Sequence, residues 1–551
     1  MAKPTRFTAE MEKEYVAKGY WTTTTFADLW DRNARLYPDA EAVVDSKTRL
    51  TWAQAKLWID RLALGFLELG FRKDDMLVVQ LPNSVELTLL RVATEKAGLL
   101  CVPVLRTLRH NEMEYILKHV DAAGVVVLKE FRDFNYLDMV NEIRPRLPGL
   151  RHVFVAGEGT PPGSVSIKEM VEKPLEKKYP VNYLDSKKMP WNEFSIIGHT
   201  SGSAGFPKFV EYPICSTMIL GIETAKAYRL THHDTVAALS PAAFGPNMIS
   251  HICAPIAGAK IVMEEHFEAE EALRIIEREK VTAIGVVPTQ LAMMAGHPNL
   301  GKYNLSSLRM MRCTGAPLAF HVGANAEEKM KAKLVQCYGA VDYGTICGSD
   351  FADSQETCLL TTGRPYHGSE VKLADDNGKD VAAGEVGEVW GRGPHSVSGY
   401  FKDPEATKKA WEGGWYKTGD LGKFRADGTL MVVGRKKDMI IRGGQNIYPA
   451  EIEALLVTHP AVLMAAVVSM ADDLMGEKAC AYIVPRTGKV FTFEEMGAFL
   501  KGKGVAPFKI PERLEIADNF PMVADGQKVD KRTLTKMLAD KVAAEKGARR
   551  A

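Results

Sequence analysis

Residues 196–210 read IIGHTSGSAGFPKFV, and this stretch decides how the rest of the chain is interpreted. Its apolar start is typical of a buried strand, and a run of small residues follows: Thr200, Ser201, Gly202, Ser203, Ala204 and Gly205. In such a loop the backbone N–H groups can converge on an anion, and hydroxyls add donors. Lys208 then supplies a positive charge for phosphates. A P-loop is excluded because its G-x-x-x-x-G-K-[ST] order is absent, and an exposed Ser/Gly turn is the alternative.

Length and composition limit the classes of protein to which this chain can belong. With 551 residues the chain is too long for one ordinary core, so we expect two to four folding units. A formal net charge of +1, from 70 basic and 69 acidic residues, argues against a nucleic-acid binder. No apolar window reaches about 18 residues and no secretory h-region is visible, so we expect no membrane span. The eight cysteines form no C-x-x-C pair, which favours buried free thiols in a cytoplasmic protein.

The order of periodic segments predicts an α/β fold. Helical patterns at 51–70 and 86–97 alternate with apolar strand patterns at 76–81 and 99–104, which is typical of parallel sheets covered by helices. Near residue 380 the pattern changes to Gly- and Asp-rich β-type runs, which predict a small barrel-like part. A compact α+β pattern follows. We therefore expect a large N-terminal domain at 1–434, a hinge at 435–437, and a small mobile C-terminal domain at 438–551.

Further segments, read with the 196–210 loop, carry a family resemblance. They are CTGAPL at 313–318, QCYGAVD at 336–342, GWYKTGDL at 414–421 and GRKKDMI at 434–440. Alone, each is ordinary: a Gly-Pro turn, a strand-end tyrosine or a β-turn aspartate. Together and in this order they resemble the signatures of the acyl-adenylate-forming superfamily, which includes acyl-CoA synthetases, peptide adenylation domains and luciferases. The resemblance spans roughly residues 25 to 540.

The resemblance implies a nucleotide site with a role for each segment. Thr200, Ser201, Gly202, Ser203, Gly205 and Lys208 would bind the phosphates of ATP. Gly315 and Ala316 would form the adenine turn, Tyr338 beside Gly339 would stack on adenine, and Asp342 would help to hold Mg²⁺. Asp420 would accept hydrogen bonds from both ribose hydroxyls, which its two oxygens permit, and Arg435 would contact ribose or phosphate. The chain departs from the family at Ala204, Phe209, Val341 and Asp342, where Thr, Gly, Thr and Glu are usual.

The C-terminal segments imply a second half-reaction. Lys437 falls at the family's hinge, and Gly444 belongs to a loop that would line the thiol tunnel after the domain rotates. Lys528 is interpreted as the adenylation lysine, although Gln527 displaces it by one residue from the usual P-x-T-x-x-G-K spacing. Lys531, or a solvated lysine without a role, is the alternative.

The acid pocket is read from residues 239–247, LSPAAFGPN, which resemble a segment of enzymes that activate hydroxybenzoates. Phe244 stands at the His position and Gly245 at the Asn position that reads a ring hydroxyl, so we expect an apolar cyclic acid of the benzoate or cyclohexanecarboxylate type. A core aromatic is the alternative for Phe244. The expected substrate pocket is Phe244, Gly245, Gly315 and Gly339.

The resemblance implies ATP/AMP, Mg²⁺ and coenzyme A as cofactors and a small carboxylic acid as partner. An AMP-forming acid–CoA ligase is favoured. An aryl-acid AMP ligase that loads a carrier protein, or a non-catalytic nucleotide-binding relative, stays open, as does a homodimer.

Overall fold

The computed structural model describes residues 2–132, 134–200, 207–241, 245–472, 474–523 and 528–548. Two large, mostly parallel sheets lie in the N-terminal part. The first sheet has this strand order: Arg364–Pro365, Gly344–Gly348, Lys333–Ala340, Met310–Cys313, Ala283–Val286, Thr235–Ala238, Lys260–Met263, Glu41–Val44, Arg49–Thr51. Pairing is parallel from Lys333–Ala340 through to Glu41–Val44, with antiparallel strands at both edges. The carboxyl ends of the central strands therefore meet at one edge.

The second sheet repeats this arrangement. Its strand order is Phe209–Pro213, Phe194–His199, Leu100–Pro103, Met76–Gln80, Ala122–Leu128, His152–Ala156, Val165–Ser166. Only the pairing of the first two of these strands is antiparallel among those described. A short hairpin, Glu130–Phe131 with Phe134–Asn135, lies beside it. Strand Phe194–His199 leads directly into the small-residue loop, as its apolar sequence predicts.

Helices cover and separate these sheets. They are Ala9–Ala17, Phe26–Leu36, Trp52–Glu68, Val85–Lys96, His110–His119, Tyr136–Ile143, Ile167–Glu172, Ile214–Ala227, Ala254–Ala257, Ala269–Glu279, Pro288–Ala295, Phe320–Met330, Gln355–Leu360, Pro404–Ala410, Pro449–Leu456, Phe493–Gly502 and Lys531–Ala548. Short 3₁₀ turns include Gly245–Asn247 and Lys436–Asp438, and Ile249–Cys253 is a π-helix. Thr51 begins helix Trp52–Glu68 because its hydroxyl accepts from Gln54 N–H and the Gln54 side chain accepts from Thr51 N–H.

Two smaller sheets follow. The third sheet is antiparallel and joins Glu370–Ala374, Gly387–Arg392, Trp415–Phe424, Trp411–Glu412 and Leu430–Arg435. The fourth sheet joins Gln445–Ile447, Ile440–Arg442, Gly476–Pro485, Val462–Asp472 and Arg513–Ile516. A two-stranded ribbon, Met522–Val523 with Lys528–Val529, precedes the last helix. The fourth sheet has its own apolar core, in which Ile440, Ile483 and Leu500 are fully buried.

The structure confirms the predicted α/β fold class, with a large N-terminal part built on parallel sheets and a smaller C-terminal part. The patterns at 51–70, 76–81, 86–97 and 99–104 become Trp52–Glu68, Met76–Gln80, Val85–Lys96 and Leu100–Pro103. All eight cysteines are buried and unpaired. Within the described ranges, no helix combines the length and the apolar character needed to cross a membrane. The domain boundary at 434 and the hinge at 435–437 stay predictions.

Candidate active site

The carboxyl edge of the first sheet brings several predicted site residues together. Thr314, Gly315 and Ala316 follow strand Met310–Cys313, and Tyr338 and Gly339 end the neighbouring strand Lys333–Ala340. The Thr314 hydroxyl donates to the Cys337 carbonyl at 3.1 Å, which ties these segments together. Ligands of open α/β sheets bind at this edge, outside the carboxyl ends of the strands.

Asp420 is the centre of a hydrogen-bonded network. The Tyr338 hydroxyl donates to Oδ2 of Asp420 at 2.7 Å, and Arg435 Nε donates to Oδ1 at 2.7 Å. Asp420 and Arg435 face each other across strands Trp415–Phe424 and Leu430–Arg435. Although burial works against the charge of Arg435, the Asp420 carboxylate outweighs it and raises the pKa of the guanidinium. Three residues predicted for the nucleotide, from distant parts of the sequence, are therefore in direct contact.

A tyrosine cluster surrounds Asp342, the residue predicted to help hold Mg²⁺. The Tyr400 hydroxyl donates to Asp342 Oδ2 at 3.1 Å and lies 3.4 Å from the Tyr416 hydroxyl. Burial, followed by the charge of Asp342, raises the pKa of both Tyr400 and Tyr416. These phenols therefore stay neutral and act as hydrogen-bond donors toward the carboxylate. The sequence analysis assigned neither tyrosine a role, although Tyr416 lies inside the matched 414–421 segment.

Thr200 and Lys208, at the two ends of the segment predicted to bind phosphates, are hydrogen-bonded to each other. Thr200 N–H donates to the Lys208 carbonyl at 2.9 Å, and Lys208 N–H donates to the Thr200 hydroxyl at 3.1 Å. The Lys208 ammonium lies 4.5 Å from the centre of the Tyr400 ring, on which it makes a cation–π contact. Lys208 and Asp342 therefore share Tyr400 as a neighbour. The predicted residues Ser201, Gly202, Ser203 and Gly205 lie outside the described residues.

The glycines predicted to line the substrate pocket differ in their backbone conformation and in the space around them. Gly315 has φ of +91°, and a Cβ there would lie 3.4 Å from Val287 Cγ1. At Gly339 a Cβ would lie 2.5 Å from the Gly344 carbonyl oxygen, so the adjacent strand alone requires glycine there. Gly245 has φ of +77° with open space at its Cβ position. Phe244 lies outside the described residues.

Arg312 forms hydrogen bonds with the backbone of the predicted acid-pocket segment. The sequence analysis did not anticipate this contact. Its Nη1 donates to the carbonyls of Gly245 and Pro246 at 3.0 and 3.2 Å, and its Nη2 lies 2.8 Å from Cys337 Sγ. The side chain is 1% exposed. The sequence does contain an indication of this contact, because Arg312 is a charged residue inside the otherwise apolar strand Met310–Cys313. A buried charge usually has specific hydrogen-bond partners.

The predicted C-terminal residues lie on or beside the fourth sheet. Lys437 is exposed in the 3₁₀ turn Lys436–Asp438, between the third and fourth sheets. Gly444 has φ of +82° in the tight turn between strands Ile440–Arg442 and Gln445–Ile447. Lys528 pairs with Val523 through the backbone, and its side chain is outside the described part of the chain. The alternative lysine, Lys531, forms an ion pair with Glu453 at 2.6 Å.

Comparison with known proteins settles the family. The model of the AMP-binding enzyme family matches residues 30–401, and that of the AMP-binding enzyme C-terminal domain matches residues 451–527. The chain belongs to the AMP-binding enzyme family. It is an AMP-forming ligase of the acyl-adenylate-forming superfamily, and the resemblance found in the sequence is confirmed.

The similar proteins include both an aryl-acid AMP ligase and an acyl-CoA synthetase. The 2,3-dihydroxybenzoate-AMP ligase of Bacillus subtilis (strain 168) is 30% identical over 541 residues, which cover 97% of each chain. The putative acyl-CoA synthetase YngI of the same organism is 33% identical over 532 residues, 92% of this chain and 95% of that protein. The crystal structure of the anthranilate CoA ligase AuaEII with anthranoyl-AMP has the same fold, with a TM-score of 0.86 at 23% identity over 95% of this chain and 98% of that one.

Proposed function

We propose that this AMP-forming ligase is an acid–CoA ligase for an apolar cyclic acid of the benzoate or cyclohexanecarboxylate type. The observation that carries the nucleotide half is the contact of Tyr338 and Arg435 with Asp420. These contacts fix a carboxylate whose remaining lone pairs can accept from ribose hydroxyls. Lys208 at the exit of the phosphate loop supplies the positive charge for the phosphates.

The first half-reaction needs positive charge because a carboxylate must attack an α-phosphate that is already negative. Lys208 on the N-terminal part and Lys528 on the C-terminal part are the residues to which we assign this role. Mg²⁺ prefers oxygen ligands and is usually bound by one or two carboxylates together with phosphates. Asp342, held by Tyr400, fits that donor set. No cluster of three or more metal-binding side chains occurs among the described residues, so the remaining ligands would come from ATP and water.

The second half-reaction transfers the acyl group to a thiol and releases AMP. Lys437 lies in an exposed turn between the third and fourth sheets, which suits a hinge. We infer that rotation there removes Lys528 and brings in the turn at Gly444. The positive φ and open surroundings of Gly444 allow a ligand to pass close to the backbone.

The choice of acid rests on Gly245. Because Gly245 has no side chain, no polar group stands at this position to bind a hydroxyl on the ring of the acid. Without that hydrogen bond, the site would not select a hydroxylated ring over an unsubstituted one. Coenzyme A is favoured as acceptor because an apolar cyclic acid suits degradation. Loading of a carrier protein is the second candidate, supported by the likeness to an aryl-acid AMP ligase over nearly the whole chain.

One experiment tests the proposal in two stages. ATP–pyrophosphate exchange is measured with acetate, hexanoate, benzoate, salicylate and cyclohexanecarboxylate, and CoA thioesters are then sought by mass spectrometry. Exchange with benzoate or cyclohexanecarboxylate plus thioester formation is the expected result. Exchange without a thioester would favour a carrier-protein acceptor, while a preference for salicylate would contradict the role given to Gly245.

A further inference from the structure

A small, partly open cavity lies beside the candidate active site, where strand ends of both large sheets meet. Its volume is about 140 Å³. Asn83, three residues beyond the end of strand Met76–Gln80 of the second sheet, donates from Nδ2 to the carbonyls of Ala238 and Ser240 at 3.2 and 2.7 Å. These contacts hold the two sheet edges together. Apolar side chains form much of the wall, among them Leu81, Val104, Leu239 and Met293.

The cavity adjoins the predicted reaction centre on one side. Gln290, which lines it, accepts from the Ser240 hydroxyl at 2.7 Å and from Val287 N–H at 3.1 Å. Val287 in turn lies against Gly315 of the predicted adenine turn. Leu239 and Pro241, which begin the acid-pocket segment, also line the cavity.

Two buried oxygen atoms in the wall of this cavity lack a hydrogen-bond partner among the described residues. Glu264 is 4% exposed; its Oε1 accepts from Glu268 N–H at 3.1 Å, while Oε2 has no partner. Asn83 is 3% exposed, and its Oδ1 also has none. Buried polar atoms are nearly always paired, so each such atom requires an explanation. Both are acceptors, and the cavity therefore suits a ligand that brings N–H or S–H donors.

Because Oε2 of Glu264 has no donor among the described residues, it can accept a hydrogen bond from a thiol that enters the cavity. We propose that Glu264 accepts the proton of the thiol acceptor in the second half-reaction, an inference that rests on the proposed function. Glu264 also lines an open cleft on its other side, of about 950 Å³, through which the proton can pass to solvent.

The step balances without a further reactant. The thiol sulfur attacks the carbonyl carbon of the acyl-adenylate, a C–S bond forms, and the C–O bond to the phosphate breaks. AMP leaves with the bonding electron pair. The S–H proton moves to Oε2 of Glu264.

The environment of Glu264 matches this task. Burial raises its pKa to about 8, opposed by the hydrogen bond from Glu268 N–H and assisted by the charges of Glu271 and Glu268. A base with a pKa near the working pH is efficient in proton transfer. The other charged or titratable side chains that line the cavity or the cleft are Glu41, Asp45, Arg49, Arg106, Arg132, Lys260, Glu265, His266, Arg278, Glu279 and Lys280.

The test separates the two half-reactions. Benzoyl-adenylate or cyclohexanecarbonyl-adenylate is supplied with CoA, and thioester formation is followed in a single turnover between pH 6 and 9.5. Glu264→Gln should slow the transfer by about 10²-fold, the lower end for loss of a general base. It should also remove the component of the pH profile that rises near pH 8, leaving only the rise due to the thiol's own ionisation. Glu264→Asp should keep that component at a reduced rate.

ATP–pyrophosphate exchange by the same variants checks that they fold, and it should stay at the wild-type rate. Glu268→Gln is the matched control, because its exposed side chain changes while its backbone N–H remains; it should keep the Glu264 component of the pH profile, displaced to lower pH because the Glu268 charge raises the pKa of Glu264. If Glu264→Gln transfers at the wild-type rate with the wild-type pH profile, the role of Glu264 alone is wrong. If wild type catalyses exchange but acylates CoA from neither adenylate, the proposed acceptor is wrong and the role of Glu264 is overturned with it.

Discussion

Tyr338 donates its hydroxyl hydrogen to Asp420 at 2.7 Å, although the two residues are 82 positions apart. Tyr338 lies near the end of strand Lys333–Ala340 of the first sheet, and Asp420 lies in the middle of a strand of the third sheet. The hydrogen bond therefore joins two sheets at the point where the nucleotide is proposed to bind. It also fixes the carboxylate before any ligand arrives, which lowers the cost of ordering it on binding.

Replacing Asp420 tests the proposed ribose contact. Asp420→Asn keeps the shape but removes the charge that pairs with Arg435 and accepts from ribose. Hydrogen bonds to charged groups contribute about 1.5–3 kcal/mol, so the KM for ATP should rise about 10- to 100-fold. The KM is measured by pyrophosphate exchange at saturating acid. Asp427→Asn, at an exposed turn next to strand Leu430–Arg435, is the control and should leave the KM for ATP unchanged. An unchanged KM in Asp420→Asn would contradict the contact.

The contact between Tyr400 and Asp342 predicts an effect on metal dependence. Tyr400→Phe removes the donor 3.1 Å from the carboxylate but keeps the ring that contacts the Lys208 ammonium. A hydrogen bond to a charged group contributes about 1.5–3 kcal/mol, so the Mg²⁺ concentration for half-maximal adenylation should shift about 10- to 100-fold. Tyr482→Phe, which removes a buried hydroxyl from the fourth sheet, serves as control. Equal Mg²⁺ curves for wild type and Tyr400→Phe would remove Asp342 from the metal site.

The fold could be predicted because its signals are local. Strand Phe194–His199 and helix Trp52–Glu68 appear in the sequence as an apolar run and as a capped periodic segment. The nearness of Thr314 to Tyr338 could also be predicted, because parallel strands bring their carboxyl ends to one edge of the sheet. Neither inference needs knowledge of side-chain contacts across the molecule.

The site could be predicted only in part because its remaining contacts are not local. Arg312 bonds the carbonyls of residues more than 60 positions away, and nothing near it in sequence indicates them. Tyr400 and Asp342 are 58 positions apart in the sequence. Gly339 shows the reverse problem: the adjacent strand fully accounts for a glycine that the sequence reading placed in the substrate pocket.

Arg312 predicts a change in acid recognition. Arg312→Met fills a similar volume but leaves the carbonyls of Gly245 and Pro246 without their donor, which costs about 1–3 kcal/mol for each unpaired buried group. The turn Gly245–Asn247 should then shift, so the KM for the acid should rise while the KM for ATP stays. Acid KM and thermal unfolding are measured together.

The control for Arg312 is Arg309→Met, just before the other end of strand Met310–Cys313. Arg309 pairs with Asp234 at 2.9 Å and is partly exposed, so its loss should lower stability without changing the KM for the acid. If both variants alter the acid KM equally, Arg312 acts only through general stability.

The two candidate lysines near the C-terminus can be told apart by paired substitutions. Lys531 is held by Glu453 at 2.6 Å on a partly exposed surface, and such a pair contributes at most about 1 kcal/mol. Lys531→Ala should therefore reduce stability slightly and leave ATP–pyrophosphate exchange intact. Lys528→Ala should reduce exchange about 10²- to 10³-fold, because it removes a cation aimed at the developing charge. It should still form thioester from supplied acyl-adenylate, since that half-reaction takes place after Lys528 has left the site. Loss of exchange in Lys531→Ala with normal exchange in Lys528→Ala would transfer the role to Lys531 and require its ion pair with Glu453 to break before adenylation.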